Sequence, residues 1–320
     1  MLAKQVVAPP NKSGIKPLFA DWDVIRHAPD AFTSTWTVAA PGPEARIAVA
    51  SIEPGDYQFH YVADLKYADG KPAHIEHFEA SWRRAPQAAR LRVAPRGTIV
   101  LLHGYLQNKN YVTPWALRLA EAGFRCAVVD LRGHGQSTGA HIGFGAFEAA
   151  DISAVIDDLG RRGWDVSRVG LLGVSYGASV SLLTAGRDAR VAAVVAFEPF
   201  SSAEIAVPEL MRSAFAREAK GISDAQFAAA HVKEARIGGF DWSAADIPAT
   251  LARTRAPVLF LHGEADNWLS PEHSRRLLAV APAGSELVLV PHDNHVTLPL
   301  QIAPFEARVI GWFDAGFQKR

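Results

Sequence analysis

After Arg96 the chain settles into a rhythm that few architectures accept: short apolar runs rich in β-branched residues, separated by amphipathic stretches. The runs are Gly97 to Leu102, Phe124 to Val129, Val169 to Leu172, Val191 to Phe197, Pro257 to Leu261 and Glu286 to Val290. The stretches between them read as helices, for example Thr113 to Ala122, Phe147 to Gly160, Tyr176 to Ala185 and Pro271 to Val280. Strands with helices between them predict an α/β fold, a parallel sheet covered on both faces. Ser270 followed by Pro271 has the form of a helix cap and first turn, which places a helix start just beyond Asp266.

The rest of the chain departs from this rhythm in three places. From about Ala45 to Trp82 apolar and polar residues alternate, as in Arg46-Ile-Ala-Val-Ala-Ser-Ile52 and Tyr57-Gln-Phe-His-Tyr-Val62. Period two predicts antiparallel strands, and Ala68-Asp69-Gly70 suits the backbone of a hairpin turn. Residues 1–44 have no clear period and are set aside as an N-terminal extension of unassigned role. Residues 201–247 carry two expected helices and no strand. In the first, Val207, Leu210, Met211, Ala214 and Phe215 share a face; the second opens on Ser223-Asp-Ala-Gln226, the spacing of a capping box. This insertion lies where a lid over an active site would sit, with a packing excursion as the alternative. Its Met211, Phe215, Phe227 and Phe240 fit an apolar pocket and equally the insertion's own packing. No internal repeat or low-complexity tract is evident.

Composition narrows the function classes. At 320 residues the chain holds one large domain with an insertion or two small ones, and 49% hydrophobic with 21% charged residues is ordinary for a globular protein. Lys and Arg number 33 and so do Asp and Glu, so no global field draws the chain to nucleic acid or anionic lipid. Cys126 is the one cysteine, which excludes an intramolecular disulfide and a cysteine metal cluster, and its apolar setting reads as core. The N-terminal residues lack a secretory apolar stretch and no segment approaches the roughly 20 apolar residues of a membrane span. A soluble, cytoplasmic protein acting on a small molecule, with no nucleic-acid or membrane partner, is expected, its oligomeric state left open.

Gly173-Val-Ser-Tyr-Gly177 fits the G-x-S-x-G pattern, in which a sharp strand-to-helix turn exposes a strained serine and the flanking glycines avoid collision. Gly135-Gln-Ser-Thr-Gly139 matches the same five letters but lies in loop composition, so Ser137 is read as a turn residue and Ser175 as the nucleophile. A serine hydroxyl needs a base. Among twelve histidines His295, in Pro291-His-Asp-Asn-His295 after the last apolar run, is the best placed, with His292 its rival and His103 and His134 read as structural. The base in turn needs a carboxylate to fix its tautomer; Asp266 in His262-Gly-Glu-Ala-Asp266 is the candidate and Glu264 the competitor. The charge of a tetrahedral intermediate needs two donors: the Tyr176 amide, and from His103-Gly-Tyr-Leu106 either the amide or the phenol of Tyr105.

Taken together, His103-Gly104, Asp130-Leu-Arg-Gly-His-Gly135, Gly173-Val-Ser-Tyr-Gly177, Asp266 and His295 resemble the α/β-hydrolase superfamily over about residues 45–320, the insertion apart. Valine before the serine and tyrosine after it depart from the commonest form of the motif. The resemblance implies an eight-stranded, mostly parallel sheet with an antiparallel second strand, a helical lid at 201–247, and the order serine, acid, histidine. It implies a serine hydrolase with no metal or organic cofactor, most readily a carboxylic ester hydrolase working through an acyl-enzyme. An amide or peptide hydrolase of aminopeptidase type is the alternative within enzymes. Thioester or carbon–carbon cleavage and perhydrolysis use the same residues, and a binding module that kept the fold is the alternative outside them.

Overall fold

The computed structural model describes residues 2–12, 22–67, 72–83 and 94–318. Helices α1 (Leu2–Val6) and α2 (Asp23–His27) precede strands β1 (Ser34–Ala39), β2 (Arg46–Ile52), β3 (His60–Lys66) and β4 (His74–Ser81). Strand and helix then alternate through β5 (Thr98–Leu102), α3 (Thr113–Glu121), β6 (Arg125–Val129), α4 (Glu148–Arg161), β7 (Val169–Val174), α5 (Tyr176–Ala185) and β8 (Val191–Phe197). Helices α6 (Ala203–Ser213), α7 (Asp224–Gly238) and α8 (Ile247–Leu251) follow without a strand. The chain closes with β9 (Val258–Gly263), α9 (Glu272–Leu278), β10 (Glu286–Val290) and α10 (Ile302–Gln318).

Eight strands form one sheet in the order β1-β2-β6-β5-β7-β8-β9-β10. Strand β2 runs antiparallel to both its neighbours, and the pairings from β6 to β10 are parallel, as the resemblance implied. Why the central runs are apolar throughout is visible in their side chains. Val100 and Leu102 of β5 and Val169 and Leu171 of β7 join the core on one face, with α4 and α5. Ile99 and Leu101, and Leu172 and Val174, join the core on the other, with α3 and α10. Alternate residues of a strand serve opposite faces, so a sheet covered twice needs both sets apolar. Each such side chain removed from water stabilises the fold by about 1.5–3 kcal/mol before entropy is counted.

Three boundaries differ from the sequence reading. The sheet begins at Ser34, inside the stretch 1–44: β1 pairs with β2 from Ser34↔Ser51 to Ala39↔Arg46. Its exposed, polar alternation offered no apolar run to detect. Of the antiparallel strands expected over 45–82, β2 joins the main sheet while β3 and β4 form a separate pair. The turn expected at Ala68-Asp69-Gly70 lies outside the described residues. Helix α9 begins at Glu272, yet Ser270 Oγ still accepts the Glu272 N–H at 3.2 Å.

The insertion does carry two long helices. The capping box at Ser223 is formed, Ser223 Oγ and Gln226 each accepting the other's N–H. Helix α7 packs against α6 and against the N-terminal α1. None of the described helices is long and apolar enough to cross a membrane.

Candidate active site

Ser175 joins β7 to α5 with φ 51° and ψ −111°, a backbone conformation that costs about 1–3 kcal/mol and must be held by its surroundings. The Ser175 N–H is held by Phe197 O at 2.7 Å. The glycines explain themselves by distance: a Cβ on Gly173 would stand 2.4 Å from the carbonyl of Gly177, and one on Gly177 would stand 2.4 Å from Leu102 O. Every residue of α5 is buried, so the turn is clamped between sheet and helix.

His295 comes to this turn from the loop after β10. Its Nε2 lies 2.9 Å from Ser175 Oγ and its Nδ1 lies 2.7 Å from Asp266 Oδ2. Asp266, after β9, is oriented by the N–H groups of Trp268 and Leu269, which donate to Oδ1 at 2.8 and 3.0 Å. Burial alone would raise the Asp266 carboxyl, but His295 and His262 outweigh it and hold the group well below the usual carboxylate range. The acid and histidine loops are laced together by Glu264 N–H to Val290 O and Ala265 N–H to Asp293 O, each 2.9 Å.

The rivals are placed elsewhere. Glu264 and His292 are exposed, and His292 is turned away toward Tyr67. His103 and His134 are buried and pushed down to about 3, chiefly by burial, so both remain neutral. His103 accepts the Leu131 N–H at 3.0 Å and ties neighbouring loops together. Ser137 donates to Asp130 O at 2.6 Å and accepts the Ala48 N–H at 2.8 Å, a turn fastener between β2 and the loop after β6. The Asp130 carboxylate receives Lys109 N–H, Lys109 Nζ and the Gln136 N–H at 2.7–2.8 Å, and a Cβ at Gly135 would strike it. That motif thus braces the two loops beside the serine.

Gly104 brings the loop after β5 against Ser175; its Cβ position is 3.6 Å from Ser175 Cβ. The loop is fixed by the Gly104 N–H donating to Gln107 Oε1 at 2.9 Å. Among the described residues neither the Tyr105 nor the Tyr176 amide N–H has an acceptor. The Tyr105 phenol, raised by burial to about 12, packs edge-on against His134, and the Tyr176 hydroxyl accepts the Phe144 N–H at 3.1 Å.

Ser175 opens on two apolar cavities. The larger, about 310 Å³, is lined by Val6 of α1, Phe144, Phe200, and Leu210, Met211 and Phe215 of the insertion. The smaller, about 80 Å³, lies against His295, Trp115, Trp268 and Leu300. The insertion is tied to the segment after Asp266 by Glu209 of α6, which accepts the Ser270 N–H at 3.1 Å and meets His273 Nε2 at 3.2 Å.

One residue beside the histidine escaped the sequence reading. Glu198 is fully buried, and its Oε2 is 3.6 Å from His295 Nδ1. Its signal was available: a lone charge between the apolar run ending at Phe197 and Pro199. Glu198, Asp266 and His295 are also the one cluster among the described residues with donor atoms close enough, within 4.8 Å, for a cation. The Nδ1 and Oδ2 atoms there already meet each other, so the set suits a proton better than a metal.

Residues 93–235 match the family model described as serine aminopeptidase, S33. The uncharacterized protein YqkD of Bacillus subtilis is 23% identical over 208 residues, 63% of this chain and 67% of that one. The Pyrococcus furiosus esterase superposes with a TM-score of 0.61 at 16% identity, over 90% of this chain and 95% of the other. A thermophilic esterase from Thermogutta terrifontis gives 0.55 at 17% identity, over 89% and 100%. At these identities the structural likeness is one of fold.

Proposed function

We propose that this chain, an α/β-hydrolase by fold, is a serine hydrolase that cleaves a carboxylic ester through an acyl-enzyme, with Ser175 as nucleophile, His295 as base and Asp266 as orienting acid. The observation that carries the reading is the unbroken row Ser175 Oγ, His295, Asp266 at 2.9 and 2.7 Å. His295 Nε2 takes the hydroxyl proton as Oγ attacks the carbonyl, and Asp266 stabilises the imidazolium. The oxyanion is received by the Tyr105 and Tyr176 amides, which have no acceptor among the described residues. Collapse expels the alcohol, protonated by His295, and water then repeats the sequence on the acyl-enzyme.

An ester has two arms, and two cavities meet at Ser175. The two cavities differ in size, about 310 and 80 Å³, which suits one bulky apolar arm and one shorter arm. The aminopeptidase reading is favoured by the matching family model. It needs an anchor for a free ammonium group, and among the described lining residues the one carboxylate is Glu218, which is exposed. The ester reading is therefore preferred.

A fluorophosphonate probe followed by peptide mapping tests the nucleophile: label on Ser175 is expected, and a folded, unlabelled protein favours the binding module. Ser175→Ala should lower kcat by about 10⁶, as for the nucleophile of a comparable triad; turnover near wild type would refute the assignment. Faster turnover of aminoacyl anilides than of nitrophenyl esters would move the reading to peptidase.

A further inference from the structure

Strand β8 stands between the strand that delivers Ser175 and the strand that delivers Asp266, and the residue that follows it is a glutamate. Neither carboxylate oxygen of Glu198 has a hydrogen-bond partner among the described residues. Its backbone is turned to φ 51°, rare outside glycine, with its N–H held by Leu261 O at 2.8 Å. A side chain serving only to fill space here would be apolar, since a buried carboxyl without donors is among the least favourable groups in a core.

We infer that Glu198 is a second acid of the Ser175 site, a positioning residue that shares the Nδ1 face of His295 with Asp266 and takes over the imidazole when Asp266 is lost. The inference rests on the roles proposed for Ser175, His295 and Asp266. Two carboxyls this close in a dry site hold one negative charge between them. Asp266 keeps the charge, because two backbone N–H groups and the imidazole point at it. Glu198 keeps the proton: burial raises it well above the ordinary range and Asp266 adds to this, outweighing the opposing Gly263 N–H, with Asp293 adding less. The groups that face it are Asp266 from the loop after β9 and His295 and Asp293 from the loop after β10, with His262 on the Asp266 side. Remove the Asp266 charge and Glu198 ionises more readily. Oε2 then has only to close from 3.6 Å to the 2.7 Å that Asp266 now holds.

The test is a cycle of Asp266→Asn, Glu198→Gln and the double variant, with kcat/KM on one ester followed across pH and corrected for folded fraction. Asp266→Asn is expected to lose less than the ~10⁴ that the same change at the triad acid costs a serine protease, and its kcat/KM should rise along an alkaline limb as Glu198 ionises. The double variant should lack that limb and fall at least tenfold below the product of the two single losses. Glu198→Asp, too short to reach Nδ1, should behave as Glu198→Gln does in the Asp266→Asn background. If Glu198→Gln fails to fold, Glu198→Met completes the cycle. Losses that simply multiply, with the limb unchanged in the double variant, overturn the second acid and leave Asp266 in place. An Asp266→Asn change harmless in both backgrounds overturns the second acid and the proposed role of Asp266 together.

Discussion

Two carboxyls face one imidazole nitrogen, and their surroundings drive them apart: Asp266 is held below its ordinary range and Glu198 above it. The consequences for stability have opposite signs. A group whose proton is held more tightly in the fold stabilises at low pH, and that contribution is lost as pH rises above its unfolded value of about 4.3. Glu198 therefore weakens the fold progressively toward alkaline pH. His103 and His134, pushed down to about 3, act the other way: their contribution is lost as pH falls below about 6.5. Urea midpoints should pass through a maximum in the weakly acid range. Glu198→Gln removes this titration and should flatten the alkaline side of the urea-midpoint profile; an unchanged alkaline slope would contradict a protonated Glu198.

At the scale of the element, the turn at Ser175 is set by how closely α5 approaches β5. Gly177 sits over the carbonyls of Leu102 and His103, where a Cβ would fall 2.4 and 2.6 Å away, and both obstacles are backbone. Gly177→Ala must therefore push α5 off the sheet or shift the Gly104 loop. A loss of about 3 kcal/mol in denaturant unfolding is expected, at the upper end of overpacking costs, with a fall in ester turnover. Gly311 in α10 is the control. It is exposed with nothing within 4 Å of a Cβ, so Gly311→Ala should stabilise by about 0.5–1 kcal/mol through helix propensity alone. Equal effects at both sites would show that crowding is not what selects Gly177.

At the scale of the molecule, the site is a convergence of loops from the carboxyl ends of β5, β7, β8, β9 and β10, roofed by segments from far along the chain. Helix α1 packs on α7, and its Val6 lines the same cavity as Leu210 and Phe215 of the insertion. The larger cavity thus takes part of its wall from the first residues of the chain and part from its middle. Val6→Trp should fill that space and lower kcat/KM for octanoate esters at least tenfold relative to butanoate, through KM rather than kcat. A chain-length profile like that of the wild type would place the long arm elsewhere.

Ser175, His295 and Asp266, which meet in one hydrogen-bonded row, and the central sheet were all legible in the order of residues, because each has a local signature. A strained serine needs small neighbours at fixed offsets, and a doubly covered strand needs an unbroken apolar run. Strand β1 has no such run, since it is an edge strand with mostly exposed side chains, and it passed as part of an extension. Glu198 carried a signal but no meaning until β8 was placed between β7 and β9. The contact of α1 with the insertion had no signal at all. What sequence determined here are the groups whose neighbours in space are also neighbours in the chain. Tertiary structure alone decided how charge divides between two acids and what closes the cavity, because those depend on distances between segments that the chain order leaves free.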